Sequence, residues 1–299
     1  MWILFAFLAL FSSVGNTIFN RISSHKTGSL LSAAIKSLMI TFACLIICLC
    51  FGHIKLLYSL SNTDWLWIGI LGLITIVDWL FYFLALKRSH LEAFAPFEVS
   101  TILFTSNLLF SIFMISTVTS GASTLNIIFY YAGLALILVS MFYAVLNKKI
   151  NPIAKLTWVI YSVISATALA FTLLVVKLKL SHIPSDVVAF HQMLTVFVVS
   201  AIVFCFSKYR SEIKSVKPKT YLNFFISAIF NALLMVFRYK ALASATANPS
   251  IINIIICCDF IIVSIATVLF FKAQNKKQLL ILIILIVSGM VLNALPAII

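Results

Sequence analysis

Ten apolar runs, each close to the roughly 20 residues needed to cross a hydrocarbon core, follow one another with only short polar interruptions along the 299 residues. They fall near 2–20, 31–51, 65–86, 91–115, 126–146, 156–176, 186–206, 221–241, 246–271 and 278–295. Lipid offers the backbone no hydrogen-bond partners, so each run must close its bonds internally as a helix. Charged residues make up 9% of the chain, against about 25% in an ordinary soluble domain. That excludes a water-soluble globule. The spans leave about 100 residues for nine loops and the ends at about 20 residues per span, too few for an appended soluble domain. The formal charge of +14 sits in loops and reports topology rather than a nucleic-acid partner.

Fifteen of the Lys and Arg residues fall in alternate connections, among them Arg21, Lys87, Lys149, Lys214 and Lys277. The opposite face carries Lys55, Lys177 and Lys179, with Arg238 and Lys240 closing the eighth span. By the positive-inside tendency the basic face is cytoplasmic, which places both termini on the same, outer side. The opening Met1-Trp2-Ile3-Leu4-Phe5 lacks a basic leader and is expected to be a retained span. Six cysteines, all inside apolar stretches and none spaced Cys-x-x-Cys, read as small packing residues rather than metal ligands. No metal or cofactor is expected.

A constant offset of 156 relates the two halves. It carries Arg21 to Lys177, Phe81 to Phe237, Phe83 to Tyr239, Ala85-Leu86 to Ala241-Leu242, Gly133 to Gly289, and Lys36 to Gln192. Each half holds five spans, and an odd count turns the second copy upside down relative to the first. Charge and a proline at Lys148-Lys149-Ile150-Asn151-Pro152 set the boundary, giving repeats over 1–149 and 150–299. The expected fold is an all-α membrane protein of ten transmembrane helices in two inverted five-helix repeats.

These residues resemble the EamA type of the drug/metabolite transporter superfamily. The resemblance rests on Gly15-Asn16 followed by Arg21, on Lys36 early in the second span, and on Ala85-Leu86-Lys87 leading through Ala93 and Ala95. The second half answers with Lys177, Phe190-His191-Gln192, and Ala241-Leu242 leading through Ala245 and Ala247. The chain departs from the pattern in having Ser116-Thr117 and Lys272-Ala273 where many members carry a glutamate. The resemblance implies a transporter of small metabolites, amino-acid-like or related, with termini inside, the opposite of the charge count.

Ionisable groups inside spans cost a few kcal/mol or more unless paired or hydrated, so each is a candidate. At 1.5 Å per residue, Lys36, Glu98 and Asp78 lie roughly 8, 10 and 12 Å inside the basic face. Lys36 is expected to neutralise one acid, leaving the other for a proton or a cationic substrate group, with Asp78 and Glu98 as coupling residues. The alternative is an ion triad that only fixes packing. Asn16 lies on a stripe with Ser12 and Asn20, Thr101 on one with Glu98 and Thr105, and Asn253 on one with Ser250 and Cys257. The first faces protein or water rather than lipid, as a cavity wall or a packing seam, and the other two are expected to be cavity walls. Gln192 is expected as the neutral counterpart of Lys36, and Tyr82 with Trp79 as an aromatic wall beside Asp78. His191 reads as an interhelical histidine or a proton carrier. Asp259 lies 180° from the Ser250 stripe, Arg238 is expected to snorkel to water, and Asp64 and Ser185 read as helix caps.

The substrate-binding set is therefore Asn16, Lys36, Asp78, Tyr82, Glu98, Thr101, Gln192 and Asn253, with no catalytic residue. A secondary transporter working by alternating access accounts for the inverted repeat and the intramembrane charges, and no Walker-type loop points to ATP. A scaffold or sensor would need no accessible cavity. A membrane transferase would need more than His182 and Asp186 beside a helix start. The expected partners are a small-molecule substrate and the bilayer, not nucleic acid, and a homodimer is allowed. Richness in Ile, Phe, Lys, Asn and Ser points to an AT-rich genome and a bacterium, and the expected address of a multi-pass protein there is the inner membrane.

Overall fold

The computed structural model describes residues 1–24, 27–89, 91–114, 124–147, 156–207, 210–263 and 276–297. The stretches 115–123, 148–155 and 264–275, which include Ser116, Thr117, Lys149, Lys272 and the far end of the expected ninth span, lie outside the described residues. Ten α-helices and no strands occur among the described residues. They are α1 (Trp2–Ser24), α2 (Ser29–Cys50), α3 (Asn62–Arg88), α4 (Leu91–Phe113), α5 (Thr124–Leu146), α6 (Leu156–Lys179), α7 (Ser185–Phe206), α8 (Pro218–Ala243), α9 (Pro249–Cys257) and α10 (Lys276–Ala294). Nine are long and apolar enough to span a membrane, and the tenth, Pro249–Val263, is shorter. Large side chains such as Phe11, Phe42, Ile46, Phe142 and Leu222 stay exposed, as a lipid-facing surface requires.

The helices pack in a pattern of two-fold type. α1 lies along α8, and its counterpart α6 lies along α3. α2 meets α7, α4 meets α9, and α5 meets α10, so equivalent helices of the two repeats face each other. The α5–α10 crossing rests on one repeat pair. A Cβ on Gly133 would stand 2.5 Å from the Asn293 backbone nitrogen and 2.6 Å from the Gly289 carbonyl oxygen. One on Gly289 would stand 2.7 Å from Ile137 and 3.0 Å from the Gly133 carbonyl oxygen. Only residues without a side chain permit backbones this close. Asn293 adds a bond to the Tyr130 carbonyl (3.0 Å) and accepts one from Asn107 (2.8 Å).

On the face opposite the basic loops, the connections α2–α3 and α6–α7 are stitched across the repeats. α2 ends at Gly52, whose φ of 73° a residue with a Cβ adopts only at a cost. Gly52 N bonds to the Leu49 carbonyl and His53 N to that of Cys48, the paired closure of a Schellman end. This turn carries His53 to Asp186, with Nδ1 2.8 Å from Oδ2. Ser61 caps α3: its hydroxyl accepts from Asp64 N (3.2 Å) and donates to the Asp64 carboxylate (2.7 Å). The other Asp64 oxygen meets His182 Nε2 at 3.0 Å. The cap expected at Asp64 is thus corrected to Ser61, and Ser185 already lies inside α7 behind Pro184, which makes no side-chain cap. The two acids answer histidines of the opposite repeat because both connections lie on one face. His182 and Asp186, neighbours in sequence, are not partners.

Replacing Gly133 with Ala forces the α5–α10 backbones apart. The expected loss is about 1–3 kcal/mol of stability, read as a lower thermal midpoint of the purified protein in detergent. Gly69→Ala in α3, where an added Cβ meets nothing within 4 Å, should instead hold or raise the midpoint through its helix propensity, by about 0.5–1 kcal/mol.

Candidate functional site

Hydroxyls in a membrane helix have a local way out, because a serine or threonine can donate to the carbonyl four residues earlier. Ser37, Thr41, Ser106 and Ser200 do so at 2.6–2.8 Å. Carboxylates, ammonium and guanidinium groups have no such escape and must find partners or water. Here they converge. A cavity of about 160 Å³ opens between α1, α2, α3, α4, α6, α7, α8 and the stretch from Ile256 to Val263. That is about ten times the 10–15 Å³ one water needs.

Asn16, Lys36, Asp78, Tyr82, Glu98 and Gln192 all line this cavity. Lys36, 2% exposed, donates from Nζ to Asn16 Oδ1 at 2.8 Å and lies 5.4 Å from the centre of the Trp79 ring. The same Asn16 oxygen accepts from Ser227 at 3.1 Å. Asp78 accepts from Ser165 at 2.6 Å. Lys36 and Asp78 each close on a neutral partner and form no ion pair with one another among the described residues, while Glu98 lines the same cavity. Tyr82 accepts from Asn20 Nδ2 at 3.0 Å. Trp79 serves as the face beneath Lys36.

One end of the cavity carries a polar bridge over three helices. Thr75 donates to the Leu71 carbonyl (2.7 Å), which leaves its oxygen to accept from Gln192 Nε2 (2.7 Å). Tyr239 then donates to Gln192 Oε1 (2.6 Å), fixing which way the amide points. His191, next in the chain, turns away. Its Nδ1 lies 2.9 Å from the Val187 carbonyl oxygen and its Nε2 2.9 Å from that of Leu57, with Trp65 packed edge-on at 4.8 Å. It joins α7 to the α2–α3 connection.

Two expected residues lie elsewhere. Thr101, fully buried, donates to the Phe97 carbonyl at 2.7 Å, and the α4 cavity stripe runs through Glu98, Val99 and Ile102. Thr105 likewise turns to the backbone, at Thr101 and Ala166. Asn253 is buried outside the lining, with its Oδ1 3.9 Å from Cys257 Sγ. The Ser250 side of α9 faces protein, where Ser250 meets Tyr130 at 3.3 Å.

The opposite side of that segment supplies what sequence reasoning missed. After a turn at Cys258 the helix resumes at Asp259. Asp259 lines the cavity and accepts from Ser13 (2.5 Å) and Thr17 (3.5 Å) of α1. Arg238 also lines the cavity instead of reaching for water, and its Nε is buried with no hydrogen-bond partner among the described residues. Its signal was present in the repeat, since an offset of 156 carries Tyr82 to Arg238.

Gln192→Leu strands the buried Tyr239 hydroxyl and takes from Thr75 the donor it accepts from, leaving its bond to the Leu71 carbonyl intact. The expected cost is about 1–3 kcal/mol, seen as a lower thermal midpoint. In that background Tyr239→Phe should add almost nothing, whereas in the unaltered protein it should cost about 1 kcal/mol. Additive losses would show that the bridge does not form.

The EamA-like transporter family model matches residues 1–139 and again 156–295. No curated protein matches the chain. Among solved structures 28 chains match. One of them, the crystal structure of a protein with 18% identity, aligns over 98% of this chain and 96% of its own with a TM-score of 0.67, a likeness of fold. The family match covers most of the chain and both repeats, and the apolar helices make this a multi-pass membrane protein. The chain belongs to the EamA-like transporter family, whose members are membrane transporters of small molecules rather than enzymes.

Proposed function

We propose that the protein is a secondary transporter of a small polar metabolite, amino-acid-like in carrying charge of both signs, and that it works by alternating access in a bacterial inner membrane. The repeats over 1–149 and 150–299 rock against each other around the cavity. One observation carries this reading: a single hydrated-size cavity between the two repeats gathers Lys36, Asp78, Glu98, Arg238 and Asp259. A scaffold gains nothing from placing five ionisable groups there, each costly away from water.

Asn16, Lys36, Tyr82 and Gln192 are the polar and aromatic contacts for substrate, and Asp78 and Glu98 are the coupling acids. A carboxylate held between helices responds to the proton gradient when it is exposed to one side and then the other. Asp78 keeps a single hydroxyl partner, Ser165 on the opposite repeat, so relative motion of the repeats changes its surroundings directly.

Uptake into proteoliposomes of purified protein, followed by mass spectrometry on a broad metabolite pool with and without a pH gradient, tests the reading. Wild-type flux should depend on substrate and rise with the gradient on the order of tenfold. Glu98→Gln should retain substrate-dependent exchange and lose that acceleration. A wild-type rate and pH profile in Glu98→Gln rejects the coupling role, and flux absent under every gradient leaves a scaffold.

A further inference from the structure

Two buried donor groups in this cavity's lining have no hydrogen-bond partner among the described residues. Arg238 Nε on α8 is buried without an acceptor. Thr172 Oγ1 on α6 is buried without any hydrogen bond, although Thr41, Thr75 and Thr101 in comparable helices each close onto the carbonyl four residues back. Both residues line the cavity, and α6 packs against α8. Buried polar groups are satisfied in more than about nine cases in ten, so two orphans on one cavity wall mark a place where a ligand completes the structure.

Both orphans can donate. A guanidinium donates only, and its Nε edge offers two parallel N–H groups that match the two oxygens of a carboxylate. A threonine hydroxyl supplies a third donor. The surrounding charge selects among oxyanions. The described lining holds three acids, Asp78, Glu98 and Asp259, against two cations, Lys36 and Arg238. A phosphate carrying nearly two negative charges would enter a lining already acidic. A single carboxylate on a molecule that also bears an ammonium group would not, because the acids take the ammonium.

We propose that Arg238 and Thr172 form a carboxylate subsite that makes this cavity prefer substrates with a free carboxyl group over the same molecules without one. The subsite rests on the transporter reading above, and it names Arg238 as the residue that sets specificity. Asp259, held by Ser13 and Thr17, and Asp78, held by Ser165, stand in the same lining to receive the cationic end.

The test uses the full-length protein in proteoliposomes with two probes, an equimolar pool of the common L-amino acids and the matched pool of their α-carboxamides. Flux of each member is read by mass spectrometry. The unaltered protein should favour acids over amides by about 10- to 100-fold, the range for a hydrogen-bonded charged contact. Arg238→Gln should bring the ratio close to one. Arg238→Lys, which keeps the charge and loses the fork, should fall between, and Thr172→Val should lower the ratio while Thr172→Ser restores it. The ratio within one variant is independent of how much protein folds, so a damaged preparation does not mimic the effect. Equal flux of acids and amides in the unaltered protein overturns the subsite, since water then satisfies the orphans, and leaves the transporter reading standing. An acid preference retained in Arg238→Gln does the same. No flux of either pool overturns the subsite alone when other members of the broad metabolite pool still move, and overturns both readings when none does under any gradient.

Discussion

A hydrocarbon surround gives a polar group nothing to bond to, and most of this structure follows from how each polar group answers that. A neutral hydroxyl left alone costs a few kcal/mol, an ion far more. The hydroxyls therefore settle locally, on their own helix. The ions must be brought together, and what holds them comes from the other repeat: Asp78 of the first accepts from Ser165 of the second, Asp259 of the second from Ser13 of the first. Gln192 reaches across to Thr75 in the same way. Polar matching thus puts the cavity at the interface between the repeats, the place where relative motion has the largest effect on what the ions see.

The fold was legible because its signal is physical length. A run long enough to cross the bilayer declares itself without tertiary information, and ten such runs with an offset of 156 leave little freedom in topology. Gly133 and Gly289, matched only by that offset, turn out to touch at the α5–α10 crossing. Three of the five ionisable residues in the cavity lining were legible for a related reason. Lys36, Asp78 and Glu98 stand out because a charge in a span is expensive, and all three line one cavity.

Neutral polar residues misled. Thr101 and Thr105 look identical in sequence to cavity threonines, yet the backbone four residues back absorbs them. Helical periodicity aligns a stripe without saying which neighbour it meets, so the Ser250 face of α9 was assigned to the cavity when it packs on Tyr130. Asp259 was placed 180° from that face, and the angle was sound. It was the identity of the wet side that sequence could not supply. Arg238 failed on a different count, because a long side chain near a helix end can snorkel, and only packing decides whether it turns inward.

Away from the cavity, two kinds of contact join the repeats, and they differ in what parting them costs. At the α5–α10 crossing, glycine lets backbones meet within van der Waals distance, a contact that tolerates rotation in place but gains nothing from separation. On the face opposite the basic loops, the joints are side-chain pairs. His182–Asp64 is largely solvent-exposed, with the histidine 60% accessible, and exposed pairs contribute about 0–1 kcal/mol. His53–Asp186 has a buried acid, 4% accessible, so breaking it strands a carboxylate unless water follows. His191 adds a third joint on that face, from α7 to the Leu57 carbonyl, so one exposed pair that costs little to part stands beside two contacts whose loss leaves a buried polar group unsatisfied.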